Sequence, residues 1–464
     1  MSTTKTYAPL LLVEAYLLFG LWLFFFGPIY WPLENKGEFL AFISLYHAFF
    51  IAGYILQSSF FVKNKTVEPA LKPVPTDDNI FVRYFWIILL LAFAADVVVH
   101  RNTTLSNSYI PDDFFSGLYR GLVIPWEARA YYASEASMVG FVKKPYVTAI
   151  TLFSGPFKYI LLPGLVFYWH ALSNTRKVAG IFVITIPLLT GIIASLSVIN
   201  FSYVFIISIC LGVLVASNKS KGVISTLKQR KFFLAFLAVM FLFSFWQFYS
   251  VKSAHSPYQV MVENSKPQSF DYLKQKGITF KSEDPGAERS NVVDFYEKLT
   301  SYMLQGYYGM SISLDEDFQS SFGIGHSVFL QKSFAQYLGI DVRDRTFPHK
   351  ITEQWDEFVF WHSFYTYIAN DVGFWGVTIV MLILGAYFSN VYLSATLQDN
   401  LYAKMLLPLF GILFLYIPAN NQVFGFLETM ISFWILTLLF ILSKRNVRSN
   451  RSTVIPPEKN THQK

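Results

Sequence analysis

Ten apolar runs, at about 8–29, 38–62, 82–100, 147–171, 178–197, 199–217, 231–250, 372–393, 402–418 and 423–443, constrain this chain more than any other feature. Most have the length of a helix that crosses the roughly 30 Å hydrocarbon core of a bilayer. Of 464 residues, 53% are hydrophobic and 14% charged, which describes a polytopic membrane protein and excludes a soluble enzyme with one large core. The expected fold is therefore an all-α polytopic membrane protein of about ten transmembrane helices, with residues 1–464 as one integral membrane domain.

Charge sets the orientation. The connections carrying Lys63, Lys65 and Lys72, then Arg176 and Lys177, then Lys219, Lys221, Lys228, Arg230 and Lys231, then Lys404, fall on alternate sides in phase with the tail that carries Lys444, Arg445, Arg448 and Arg451. All are cytoplasmic if both termini are inside. This distribution accounts for most of the formal charge of +7 without a nucleic-acid partner. The fifth and sixth runs, joined near Val198–Asn200, must stay separate to keep the phase. Residues 1–7 precede the first run with no small-residue cleavage site behind it, which reads as a retained signal-anchor helix. Cys210 is the single cysteine, so no internal disulfide is expected. Forty-eight Phe and 28 Tyr exceed what interfacial belts need and point to aromatic packing between helices, or to a lipid or sugar path.

This topology leaves two large segments on the outer side, 101–146 and 251–371, and a cytoplasmic tail at 444–464. The second is far longer than a connection requires, and loops of that size are usually functional. It mixes a polar turn at Ser282–Gly286 with helical spacing at Val292–Leu304 and is expected to lie folded on the helix bundle.

The outer segments lack paired histidines at helical spacing and thiols, and Asp315, Glu316 and Asp317 form a run rather than a ligand pattern, so no metal is expected. A Gly-rich phosphate loop is also missing. The remaining candidates are Arg120, Arg129, Arg289, Arg343, Arg345, His326, His349 and His362. Arginine suits phosphate because its planar fork stays charged and donates several hydrogen bonds. Arg343 and Arg345 sit among Asp341 and Asp344 and read as paired loop residues. Arg120 and Arg129 lie in an apolar, aromatic stretch and suit a lipid-linked phosphate at the membrane surface. Read as a helix, His362, Thr366, Ala369, Asn370 and Gly373 share one face, which offers a general base or a plain interfacial helix start. Phe322–Phe329 holds a tight Gly323-Ile324-Gly325 turn ending on His326. Glu14, Lys158, Asp371 and Glu428 are expected inside the bilayer, where charge is costly and marks function or, for Lys158 near mid-span, a structural ion pair with Glu14 or Glu428.

Together these residues resemble the O-antigen ligase and Wzy-type O-antigen polymerase superfamily. The corresponding pieces are Arg289, Gly323-Ile324-Gly325 with Phe329, His362-Ser363 with Tyr365, and Gly373 with Gly376. Arg129 followed by Gly140 resembles the arginine motif of polymerase periplasmic loops. Ser363 stands where Asn is commoner, and the gap from Arg289 to Gly323 is long. The resemblance covers about 120–140 and 289–390.

It implies a GT-C-like membrane glycosyltransferase of the bacterial inner membrane, with its active site facing the periplasm and without metal or other cofactor. The substrate would be an undecaprenyl-diphosphate-linked oligosaccharide, with membrane lipid and a chain-length regulator as partners. On that reading Arg129 and Arg289, aided by Arg120, bind the diphosphate, and His362 is the base with His326 its rival. The aromatic-rich segment near 119–132 and the large outer loop favour a polymerase over a ligase. A flippase or exporter, and a non-catalytic scaffold, are the readings from other classes.

Overall fold

The structure is a computed structural model that describes residues 3–63, 80–103, 114–129, 145–217, 223–253, 277–280, 291–358 and 360–452. From the N-terminus, α1 (Thr3–Phe26) leads through β1 (Ile29–Tyr30) into α2 (Lys36–Lys63). Next come α3 (Phe85–Thr103), α4 (Phe114–Val123), α5 (Pro145–Tyr168), α6 (Asn174–Ile193), α7 (Ser197–Ser217) and α8 (Lys231–Ser253). After β2 (Thr279–Phe280) follow α9 (Asn291–Ser313), α10 (Val328–Leu338), α11 (Phe364–Leu397), α12 (Leu401–Tyr416) and α13 (Leu427–Ser452).

All ten apolar runs are helical. Among the described residues eight are long and apolar enough to cross a membrane, and two, Phe85–His100 and Leu401–Tyr416, are shorter. The 16 residues of α12 give about 24 Å of helix, less than a full hydrocarbon core. The fold is that of an all-α polytopic membrane protein.

Two boundaries differ from the sequence expectation. The break between α6 and α7 falls at Ala194–Leu196, earlier than Val198–Asn200, because Ser195 takes a left-handed φ of 50° and the Leu196 N–H turns back to the Gly191 carbonyl at 2.9 Å. Helix α11 starts at Phe364, well before the apolar run at 372, because Ser363 caps it by accepting the Thr366 N–H at 3.2 Å.

Helices α2 and α11 form the most extensive packed pair. A Cβ on Gly53 would fall 2.0 Å from the Leu382 carbonyl oxygen, and one on Gly385 would fall 2.1 Å from that of Phe50. Each helix thus presents a glycine to the other's backbone, the small-residue contact that drives helix association in lipid. Around this pair α3 packs on α5 and α6, α7 on α8 and α12, and α13 on α5.

The bundle has two chemically different ends. At one, basic residues are pinned by carbonyls and rings: Arg230 donates to the Val166 and Phe167 carbonyls at 2.9 and 3.1 Å. Lys404 lies 5.4 Å over Phe167 and over Tyr168, and Lys444 lies over Phe61 and Phe440. At the other end, the segment from α9 to α11 folds down onto the bundle. Asn35 donates to the Ser311 carbonyl at 2.6 Å, Phe364 N–H to Ile417 at 2.9 Å, and β1 pairs antiparallel with β2. The helical spacing at Val292–Leu304 is realised as α9.

Within the bundle, the carboxylates of Asp96 and Glu428 hold Lys158 between them at 3.0 and 2.7 Å. Glu14 is paired instead with His47 at 2.6 Å. An ion in lipid is costly unless partnered, and these three helices, α3, α5 and α13, are tied by one such network.

Candidate functional site

Gly373 interrupts α11 with φ 69° and ψ 165°. The break leaves carbonyls of the preceding turn without their helical donors. Two serines of the turn after α9 replace them: Ser321 donates to the Asn370 carbonyl through its N–H and hydroxyl at 3.1 and 2.5 Å, and Ser320 to the Asp371 carbonyl at 3.1 Å. The Asn370 side chain, fully buried, donates to the Gly325 carbonyl at 3.0 Å and accepts the Phe347 N–H at 2.9 Å. Gly325 packs so closely here that a Cβ would meet Ser321 Oγ at 1.9 Å.

This seam delivers the Asp371 carboxylate to the Gly-x-Gly-His turn. One oxygen accepts the N–H groups of Gly323 and Gly325 at 3.0 and 2.9 Å. The other accepts the His326 N–H at 2.9 Å and its ring Nδ1 at 2.8 Å. An ionised carboxylate at Nδ1 requires the proton there, which leaves Nε2 with a free lone pair in neutral imidazole. The His326 side chain is 21% exposed. Asn421 fixes the backbone from the far side by donating to the His326 carbonyl at 2.8 Å.

His362 lies two residues before the helix rather than on its face. Its side chain is fully buried and neither ring nitrogen has a hydrogen-bond partner within the described residues. Burial pulls its pKa from the ordinary 6.5 down to about 3. Thr366, Ala369, Asn370 and Gly373 are buried too, so the small polar face expected of this stretch is a packing surface.

Arg129 lines a cavity of about 460 Å³ between the α6–α7 turn, α8, α9 and the end of α12. Among the described residues it is the single charged group in a wall built largely from residues such as Phe201, Phe248, Met303, Trp361 and Leu415. Burial raises the pKa of Tyr302 in that wall, and the Arg129 charge draws it back. Arg120 sits half-buried on α4 and is not among the lining residues. Arg289 and Gly140 lie outside the described residues.

Arg343 is paired as its acidic surroundings suggest, but with Glu357, at 2.6 Å, rather than with Asp341 or Asp344. Arg345 is exposed. It lies 4.8 Å over the Phe322 ring and donates to the Ser320 carbonyl at 3.4 Å, on the turn that carries His326. Three residues were not singled out by sequence for these roles: Asp371 as the partner of His326, Arg345 beside the turn, and Asp96 as a ligand of Lys158. The contacts that define them span 45, 25 and 62 residues, beyond any local pattern.

The fold and this arrangement define a multi-pass α-helical membrane protein with a carboxylate–histidine pair at one end of its bundle and an apolar cavity holding one guanidinium. No protein-family model, curated protein sequence or solved structure matches the chain.

Proposed function

We propose that this protein is a bacterial inner-membrane glycosyltransferase that polymerises undecaprenyl-diphosphate-linked oligosaccharide repeat units at the periplasmic face, by metal-independent inverting transfer. One observation carries the reading. The Gly323-Ile324-Gly325 turn, one piece of the polymerase-like pattern, is hydrogen-bonded to Asn370 and Asp371, which lie on the chain between two other pieces, His362-Ser363 and Gly373. Orientation is supported by charge, since Arg230, Lys404 and Lys444 gather at the end away from His326, as the positive-inside rule asks of the cytoplasmic side.

Within this proposal the geometry favours His326 over His362 as the base. A buried imidazole of pKa about 3 is poorly matched to proton abstraction near neutrality. His326, oriented by Asp371, takes the acceptor hydroxyl proton on Nε2 as that oxygen attacks the anomeric carbon. The C–O bond to the diphosphate breaks on the opposite face, the configuration inverts, and the carrier lipid leaves as its diphosphate. Arginines neutralise the leaving charge: Arg129 anchors a lipid-linked phosphate whose chain enters the apolar cavity, and Arg345 stands at the turn. Arg289 and Arg120 remain diphosphate contacts in this scheme.

The test is deletion of the gene in its host, with surface polysaccharide run on a gel after complementation. Single repeat units on the acceptor in the null strain, and a ladder restored by wild type but not by His326→Ala or Arg129→Ala at equal protein level, support the polymerase. Long chains left on the carrier lipid mean a ligase, and repeat units trapped on the cytoplasmic side mean a flippase. A ladder fully restored by His326→Ala defeats the mechanism.

A further inference from the structure

A second, smaller cavity of about 230 Å³ opens at the same end of the bundle, between the β1–α2 connection, the C-terminal half of α9 and Gln354. Its buried base is Tyr308 and Ser311, and its exposed or half-exposed rim is Glu34, Asn35, Asp315 and Gln354. We propose that this cavity is a saccharide subsite that receives one non-anionic sugar ring, neutral or amine-bearing. The assignment of that sugar to a glycosyl-transfer substrate rests on the function proposed above.

Three features point to a sugar. First, the base is aromatic and held still. The Tyr308 ring packs 5.4 Å from Trp31 and 5.0 Å, edge-on, from Trp355, which in turn stacks on Phe360 at 4.0 Å. Tyr308 shows only a small part of itself to the cavity, and being already fixed it offers apolar contact to a sugar C–H group at no cost in side-chain ordering.

Second, the rim is organised before any ligand arrives. Asn35 Nδ2 donates to the Ser311 carbonyl at 2.6 Å and to both Asp315 oxygens at 3.3 Å, so one amide sets the loop and the carboxylate together. Glu34 and Gln354 make no side-chain hydrogen bond or ion pair within the described residues. Carboxylates accept from neighbouring hydroxyls and the glutamine amide both donates and accepts, which is the mixed set that a polyol requires.

Third, the charge is one-sided. Among the described residues, two carboxylates and no cation line the cavity. A uronic or sialic acid carboxylate would meet like charge on both, whereas an ammonium group would gain from both.

The test uses full-length protein in nanodiscs and saturation-transfer difference NMR with four probes: methyl glucoside, methyl N-acetylglucosaminide, methyl glucosaminide and methyl glucuronide. Transfer to the first three and none to the glucuronide is expected. Glu34→Gln with Asp315→Asn should bring the glucuronide signal up to that of the neutral glycosides and remove any preference for the amine. Gln354→Ala should reduce transfer to all probes several-fold. Equal signals from all four probes with the wild-type protein overturn the proposal, as do signals unchanged in the Glu34, Asp315 and Gln354 variants. Protein that responds to calcium alone and to no glycoside also overturns it, in favour of a cation site. This is a binding measurement, so a negative result here leaves the polysaccharide gel standing. A positive one with an unaltered ladder in the deletion strain keeps the subsite while removing the transferase reading.

Discussion

The carboxylate of Asp371 sits 2.8 Å from Nδ1 of His326 and accepts that residue's own backbone N–H at 2.9 Å. One acid therefore orders both the ring and the chain that carries it. In the proposed reaction Asp371 is a positioning residue, and its effect must run through His326.

Asp371→Asn should lower polymerisation by about 10² to 10⁴, because the amide removes the charge that favours the Nδ1–H tautomer and the forming imidazolium. His326→Ala should cost about as much, and the double variant little more, since the two act as a unit. Ladder intensity at matched protein level checks this. Additive losses would place Asp371 in a separate role.

His362 gives an acid-sensitivity prediction. The unfolded chain takes up a proton near 6.5, whereas the folded chain resists it until about 3. Between those values protons bind the unfolded state preferentially, so stability falls as pH drops through that window and is untouched above it. The melting temperature in detergent should decline from pH 7 to pH 4.5, and more steeply for wild type than for His362→Phe. Parallel curves would mean that the imidazole finds a partner.

Lys158→Met should destabilise the protein by about 3–5 kcal/mol, as it leaves Asp96 and Glu428 facing each other in the bundle without their cation. Adding Asp96→Asn and Glu428→Gln should recover most of that loss. Thermal unfolding of the single and triple variants is the measurement. Failure of the triple variant to recover would show that the network does more than hold three helices.

Gly385→Ala should already weaken the α2–α11 contact by about 1–3 kcal/mol, because its methyl group would fall 2.1 Å from the Phe50 carbonyl oxygen. Gly212, with open space around its Cβ position, is the control that should tolerate alanine. A detergent melt of both variants checks the contrast.

Much of this architecture is legible in the chain itself. Apolar runs of helix length are local, and all ten are helices. The Gly323–His326 turn is also local, because glycine and histidine types mark it. What is hidden is what depends on distance. Asp371 reads as a stray charge at the head of an apolar run until the turn 45 residues earlier packs on it. His362 reads as helix face because periodicity cannot say where a helix begins, and Ser363 as cap moves the start past it. Asp96 carries no local sign at all, sitting in Ala-Ala-Asp-Val-Val with its cation 62 residues away.

The break at Gly373 has a mechanical meaning. Helix α11 has 34 residues, about 50 Å if straight, and its membrane-deep part must tilt or shift when bilayer thickness changes. Gly373 lies two residues below Asp371, and the turn above it is anchored by Ser320, Ser321 and Asn370 to the overlying segment instead of to the helix beneath. The helical hydrogen-bond ladder is therefore interrupted between the membrane-deep part of α11 and the turn that carries Asp371.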